Sequence, residues 1–183
     1  DPHKTLFLPY GTGALLVKNQ DRLLKSHQAG ADYMQDVLNV EATSPATLSP
    51  ELTKHFRGLR LWLPLQILGA GPFRAALHEK MLLARYFHQQ LSGIDGFEVG
   101  PEPDLSVVNY RFLPESGDAD AFNERLVQAI HNDGRIFVSS TRLNGVYMLR
   151  MAALCFRTHK KDIDTALTVL KELSSALNQT HLT

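Results

Sequence analysis

In Val107-Val108-Asn109-Tyr110-Arg111-Phe112, the residues Val108, Tyr110 and Phe112 alternate with Val107, Asn109 and Arg111. Successive side chains of a strand point to opposite faces, so this period of two predicts a half-buried strand. A helix follows with Phe122, Leu126, Ala129 and Ile130 on one stripe, and Gly134 is its stop signal. Two further strands fit residues 135–140 and 146–154, with Asn144-Gly145 as the hairpin turn between them. The last helix carries Ile163, Ala166, Leu167, Leu170, Leu173 and Leu177 on one face. This βαββα order predicts a small α+β unit with its helices on one face of the sheet.

Toward the amino terminus, Leu77, Met81, Ala84, Phe87 and Leu91 mark a long amphipathic helix over residues 73–91. Gly69-Ala70-Gly71-Pro72 breaks the chain before it. Ser49-Pro50-Glu51 has the form of a helix start, and Leu52, Phe56, Leu59 and Leu63 follow at helical spacing. Pro64 predicts a kink or a break in that helix, because it removes one backbone donor and clashes one turn back. Residues 19–48 lack a steady period, and the Ala42-Thr43-Ser44-Pro45-Ala46-Thr47 stretch is polar. They are expected to form a mobile loop, since a loop this long is functional or disordered. Residues 5–8 and 14–17 are short apolar runs around Pro9-Tyr10-Gly11-Thr12-Gly13, and both read as buried strands.

Nineteen basic side chains balance nineteen acidic ones over 183 residues. Without excess positive charge there is no case for a nucleic-acid or anionic-membrane surface. No apolar run approaches the roughly 20 residues needed to cross a bilayer. Cys155 is the single cysteine, which excludes an internal disulfide and a cysteine metal cluster and makes a reducing, cytoplasmic compartment the default. Cys155 itself reads as a buried apolar filler. His27, His78, His88, His131, His159 and His181 show no ligand spacing, so no metal site is expected. The chain opens on Asp1-Pro2-His3-Lys4 with no initiator methionine or signal-peptide pattern, and it is expected to be the later part of a longer polypeptide.

Lys4 directly precedes one of the expected strands. A lysine in a partly apolar pocket loses its proton more easily, and the neutral amine is the form that attacks a carbonyl. Taken alone, a His-Lys pair at a strand start is a weak signal and reads as solvated surface. Wider segments read together add to this. Asp1-Pro2-His3-Lys4, Gly11-Thr12-Gly13-Ala14-Leu15-Leu16-Val17-Lys18, His55-Phe56-Arg57-Gly58-Leu59-Arg60-Leu61-Trp62, Leu149-Arg150-Met151 and Phe156-Arg157-Thr158 form an ordered series. The series resembles the group II pyridoxal-phosphate-dependent amino-acid decarboxylases, which include aromatic amino-acid, glutamate and histidine decarboxylases. The similarity runs from residue 1 to nearly the end of the chain.

The resemblance implies an α/β, type I aminotransferase-like fold: the end of a large cofactor domain (residues 1–76), a connecting helix (77–95) and a small α+β carboxy-terminal domain (96–183). It implies pyridoxal 5'-phosphate as cofactor, held as a Schiff base on Lys4. His3 corresponds to the histidine near the cofactor phosphate and the substrate. Asp1 corresponds to a position that supports the phosphate end. Gly71 and Pro72 lie in the segment that reaches the partner subunit's cofactor in family dimers. Arg150 corresponds to an arginine that grips the substrate carboxylate in glutamate-decarboxylating members, a task suited to a planar, permanently charged fork. From its strand alone, Arg150 equally fits a pairing with a carboxylate at the core edge. Arg57 and Arg60 read as surface or interface residues.

The sequence departs from the family pattern in its loop. No tyrosine lies between Val37 and Leu48, where family members usually carry the acid that protonates the carbanion after carbon dioxide leaves. Tyr33 corresponds to a different, helix-associated tyrosine. The ring-stacking histidine, the aspartate under the pyridine nitrogen and most phosphate ligands also have no counterpart here, so the 183 residues are not expected to catalyse alone. The expected activity is decarboxylation of an L-amino acid by a cytoplasmic homodimer of the longer chain. The alternatives are another type I pyridoxal-phosphate enzyme, such as an aldehyde-lyase or aminotransferase, and a non-catalytic interaction module.

Overall fold

The computed structural model describes residues 1–27, 45, 48–51 and 53–180. Its elements in chain order are helices α1 (Pro2–Thr5), α2 (Gln20–Ser26), α3 (Leu59–Leu68) and α4 (Gly71–Leu91), then strands β1 (Phe97–Val99) and β2 (Val107–Phe112). Helix α5 (Ala119–Asp133), strands β3 (Ser139–Leu143) and β4 (Val146–Ala152), and helix α6 (Lys160–Thr180) complete it. Among the described residues, no helix is long and apolar enough to cross a membrane. The chain divides into two compact units, one of residues 1–3 and 8–67, the other of residues 4–7 and 68–183.

The second unit is built on a four-stranded antiparallel sheet in the order β1-β2-β4-β3. Strand β2 buries Val108, Tyr110 and Phe112, as its alternation requires. Strand β1 was not legible as a strand; its three residues pair with β2 from Phe97↔Phe112 to Val99↔Tyr110. Asn144 and Gly145 both adopt left-handed backbone (φ 51° and 84°), as a two-residue hairpin turn between β3 and β4 demands. Pairing then runs back from Leu143↔Val146 to Ser139↔Arg150. The strand expected over residues 135–140 therefore sits later than expected, because the turn fixes the register. Arg135 instead donates to Asp133 at 2.8 Å and to Glu172 at 2.7 Å.

Helices α4 and α5 lie against the sheet, and α6 packs across both. Phe87 and Leu91 from α4, Phe122, Leu126 and Ile130 from α5, and Val169 and Leu170 from α6 meet Tyr110 and Leu149 in one core. Helix α5 starts where the Asp118 carboxylate accepts the Ala121 N–H at 2.8 Å, and it stops at Gly134. Its second residue, Asp120, accepts the Tyr147 N–H at 3.0 Å and the Arg142 guanidinium at 2.7 Å, tying the helix start to the hairpin. The Tyr147 N–H and then Arg142 hold the Asp120 carboxyl below its ordinary range. Tyr110, between the Phe87 and Phe97 rings, is fully buried, and burial pushes its phenol well above its ordinary value.

The amino-terminal unit corrects several sequence expectations. Residues 2–5 form a helical turn, and Phe7 takes a left-handed backbone (φ 57°) that cannot continue a strand. Residues 14–17 are not a strand either; no described strand runs beside them, and Leu16 is 96% exposed. Within the expected loop 19–48, Asn19 caps helix α2 by accepting the Arg22 N–H at 3.2 Å. Residues 28–44, 46 and 47, with most of the expected lid, lie outside the described residues.

Ser49 does not start a helix, because its hydroxyl accepts the Lys54 ammonium and donates to the Pro45 carbonyl at 3.4 Å. The helix begins ten residues later, at Leu59, and runs unbroken through Pro64 to Leu68. Cys155 is exposed in the turn after β4, where the Thr158 N–H donates to the Cys155 carbonyl at 3.1 Å, so it is not a core filler.

One buried polar residue closes the sheet onto α5. The Asn123 amide donates to the carbonyls of Phe112 (2.8 Å) and Ala119 (2.7 Å), and its oxygen accepts the Phe112 N–H at 2.8 Å. Asn123→Leu keeps the volume and strands both backbone groups of Phe112. It should cost about 2–4 kcal/mol in guanidinium unfolding. A loss below about 0.5 kcal/mol would show that water replaces the amide.

Candidate functional site

His3 and Lys4 are consecutive in α1, a four-residue helix with no buried member. The His3 ring is held from one side. Its Nδ1 donates to the Thr12 carbonyl at 2.8 Å, and its backbone N–H donates to the same oxygen at 3.3 Å. A carbonyl only accepts, so Nδ1 carries a proton. The Tyr10 ring meets the imidazole edge-on at 5.3 Å between centroids.

The turn that supplies these contacts is itself tied down. Thr12 is buried and its hydroxyl donates to the Pro9 carbonyl at 2.9 Å. Gly11 adopts φ +84°, and a Cβ there would stand 3.0 Å from the Arg60 guanidinium, which donates to the Tyr10 carbonyl. Arg60 is thus a clamp on the turn, and Arg57 pairs with Glu51 at the surface. The apolar residues of α3 remain uncovered: the helix has no buried residue, and Trp62, Leu63, Ile67 and Leu68 are exposed.

Lys4 is exposed, on a helical turn and not at the edge of a buried strand as expected. It groups with residues 68–183, the unit that also holds Gly71, Pro72 and Arg150. Asp1, also exposed, and His3 group with residues 8–67. Gly71 and Pro72 open α4, whose N-cap position Ala70 offers no side-chain acceptor, and a Cβ on Gly71 would meet nothing within 4 Å.

Arg150 lies mid-strand in β4, on the sheet face turned away from the core cluster. Its Cα partners are Asn109 on β2 and Ser139 on β3. The guanidinium donates to the Ser139 hydroxyl at 3.4 Å, and no carboxylate pairs with it among the described residues. Beside it, the Asn109 side-chain oxygen is buried without a hydrogen-bond partner in the described structure. A half-buried, permanently charged fork with spare donors is suited to an anionic ligand. Thr12, Asn109 and Ser139 were not singled out in the sequence. The period-two strands could have paired Asn109 with Arg150, but Ser139 needed the observed hairpin register.

Residues 1–113 match the pyridoxal-dependent decarboxylase conserved domain. The chain belongs to this family. Among relatives, the aromatic-L-amino-acid decarboxylase of Bacillus atrophaeus is 29% identical over 97% of this chain and 38% of its own length. The phenylacetaldehyde synthase of Arabidopsis thaliana is 26% identical over 96% of this chain and 36% of its own length. The crystal structure of Oryza sativa TDC with PLP and tryptamine superposes on 88% of this chain and 35% of that one, with a TM-score of 0.80 at 22% identity. The chain therefore has the type I fold of the pyridoxal-phosphate decarboxylases, and it spans little more than a third of these proteins' length.

The donors present fit the family's cofactor in part. Lys4 offers an exposed primary amine for an aldehyde, and His3 offers a ring held through Nδ1 beside it in sequence. Because Arg150 has one long hydrogen bond and no ion pair among the described residues, Arg150→Lys should change folding stability by less than about 0.5 kcal/mol. Thermal or denaturant unfolding checks this, and a loss above about 2 kcal/mol would make Arg150 a structural residue.

Proposed function

We propose that this chain, as part of a longer polypeptide, works in the pyridoxal-phosphate-dependent decarboxylation of an L-amino acid. The match of residues 1–113 to the family domain, starting on Asp1-Pro2-His3-Lys4, is the observation that carries this reading. In it, residues 1–76 complete the cofactor domain, 77–95 connect, and 96–183 form the small domain.

Bound pyridoxal phosphate supplies an aldehyde for amines and a ring that takes up electrons when a bond to the alpha carbon breaks. Lys4 would hold the cofactor through its Nζ. Lys4 is an exposed residue. His3, held through Nδ1, would turn its Nε2 toward cofactor or substrate. Asp1 supports the phosphate end, and Gly71 and Pro72 reach the site of a second copy. Arg150 would grip the substrate carboxylate with its planar, permanently charged fork and so would orient the bond to be broken.

The exposed apolar face of α3 supports a homodimer, since a surface holding Trp62, Ile67 and Leu68 calls for cover. The lone, exposed Cys155 supports a reducing, cytoplasmic setting.

A second reading rests on one sequence observation: no tyrosine lies between Val37 and Leu48. Without that acid, reprotonation after carbon dioxide leaves is slow and dioxygen can compete as oxidant. A relative that carries the name phenylacetaldehyde synthase supports this reading. The two readings share decarboxylation and part at the product.

The test is the complete protein with pyridoxal phosphate and carboxyl-labelled aromatic L-amino acids, with L-glutamate in parallel. Labelled carbon dioxide with an equal amount of amine is the expected result. Carbon dioxide with aldehyde, ammonia and hydrogen peroxide would establish the second reading, and intact substrate would refute both. Arg150→Lys should lower kcat/KM about 10- to 150-fold, the equivalent of one charge-assisted hydrogen bond.

A further inference from the structure

Helix α4 buries a lysine. Lys80 is 2% exposed although its neighbours on the same stripe are Leu77, Leu83, Ala84 and Phe87. A buried ammonium is tolerated where each of its three protons has an acceptor. Here they have them: the Glu79 carboxylate at 3.0 Å, the Phe156 carbonyl at 3.2 Å and the Thr158 carbonyl. Glu79 in turn pairs with His159 Nδ1 at 2.7 Å. The two carbonyls belong to the turn after β4, which has no ladder partner. The ammonium thus ties that turn to α4, alongside the Glu79–His159 pair.

The turn uses its fixed position to present one ring. Phe156 is 58% exposed, yet its ring meets Phe7 edge to face, 5.4 Å between centroids at 62°. Phe7 has a left-handed backbone, φ 57°, which a bulky residue adopts only when its surroundings impose it. Three residues earlier lies Lys4, on a four-residue helix that buries nothing. A single helical turn has no stability of its own in water, so its direction is set by what holds its ends. Residues 4–7 accordingly belong to the same compact unit as α4 and the turn.

We infer that Lys80 is a positioning residue for Lys4, acting through the Phe156 turn and the Phe156–Phe7 ring contact. This rests on Lys4 being the cofactor lysine. Lys80 touches neither substrate nor cofactor; it fixes where the segment that carries Lys4 leaves the small-domain surface.

The test uses the complete protein with pyridoxal phosphate as the probe and follows the cofactor's dissociation constant and the borohydride-fixed pyridoxyl label on Lys4. Lys80→Met should weaken cofactor binding at least about tenfold, the equivalent of one hydrogen bond to a charged group. Because that variant also strands two carbonyls, Phe156→Leu serves as the second arm. It removes only an exposed ring, leaves the melting temperature near wild type, and should weaken cofactor binding about threefold through the lost ring contact.

The double variant should be no weaker than Lys80→Met by more than about twofold, because both substitutions cut one path. Normal cofactor binding in Phe156→Leu, or losses that multiply in the double variant, would overturn the inference and leave Lys80 a structural residue. A wild-type protein whose label falls on another lysine would instead overturn the reading on which it rests.

Discussion

A slip of β4 by one residue against β2 would turn Leu149 and Met151 out to solvent and drive Arg150 in among Phe87, Phe122 and Leu126. Burying an unpaired guanidinium there would cost several kcal/mol, so the core and the charge enforce the same register from opposite faces. The Asn144-Gly145 turn fixes β3 against β4, and Asn123 fixes the end of β2 against α5. The result is a sheet with one oily face under helices and one face on which Arg150 stands between Asn109 and Ser139. The position of the candidate carboxylate-binding group is thus a consequence of how the core is packed.

The same logic explains what the sequence could and could not say. Strand β2, helix α5 and helix α6 carry strong periods because each has one face against a core inside this chain, and they formed where the pattern predicts. Residues 5–8 and 14–17 are apolar runs too short for a period to decide, and apolarity alone was read as strand. The left-handed Phe7 and the exposed Leu16 show that neither run has a strand neighbour among the described residues. Lys80 broke an apolar stripe and so escaped notice; only the carbonyls of Phe156 and Thr158, distant in sequence, make its burial possible. Cys155 misled in the opposite direction, since a turn and not β4 holds it.

Lys4 and His3 are candidates through family resemblance alone, and little in their local physics announces a site. What the structure adds is the means of holding them. His3 is fixed by the Thr12 carbonyl in a turn clamped by Arg60. Lys4 sits with the unit that contains Arg150, Gly71 and Pro72. Two residues consecutive in sequence therefore fall in different units of the chain, and Lys4 itself is exposed. An exposed amine suits a group that must form and release a covalent bond.

The most direct test of this account is a structure of the complete protein with pyridoxal phosphate bound. Continuous density from the Lys4 Nζ to the cofactor, with the His3 ring beside it and Arg150 facing the same cavity, is the result the account predicts. Cofactor joined to another lysine, or Arg150 turned to a site without cofactor, would contradict it.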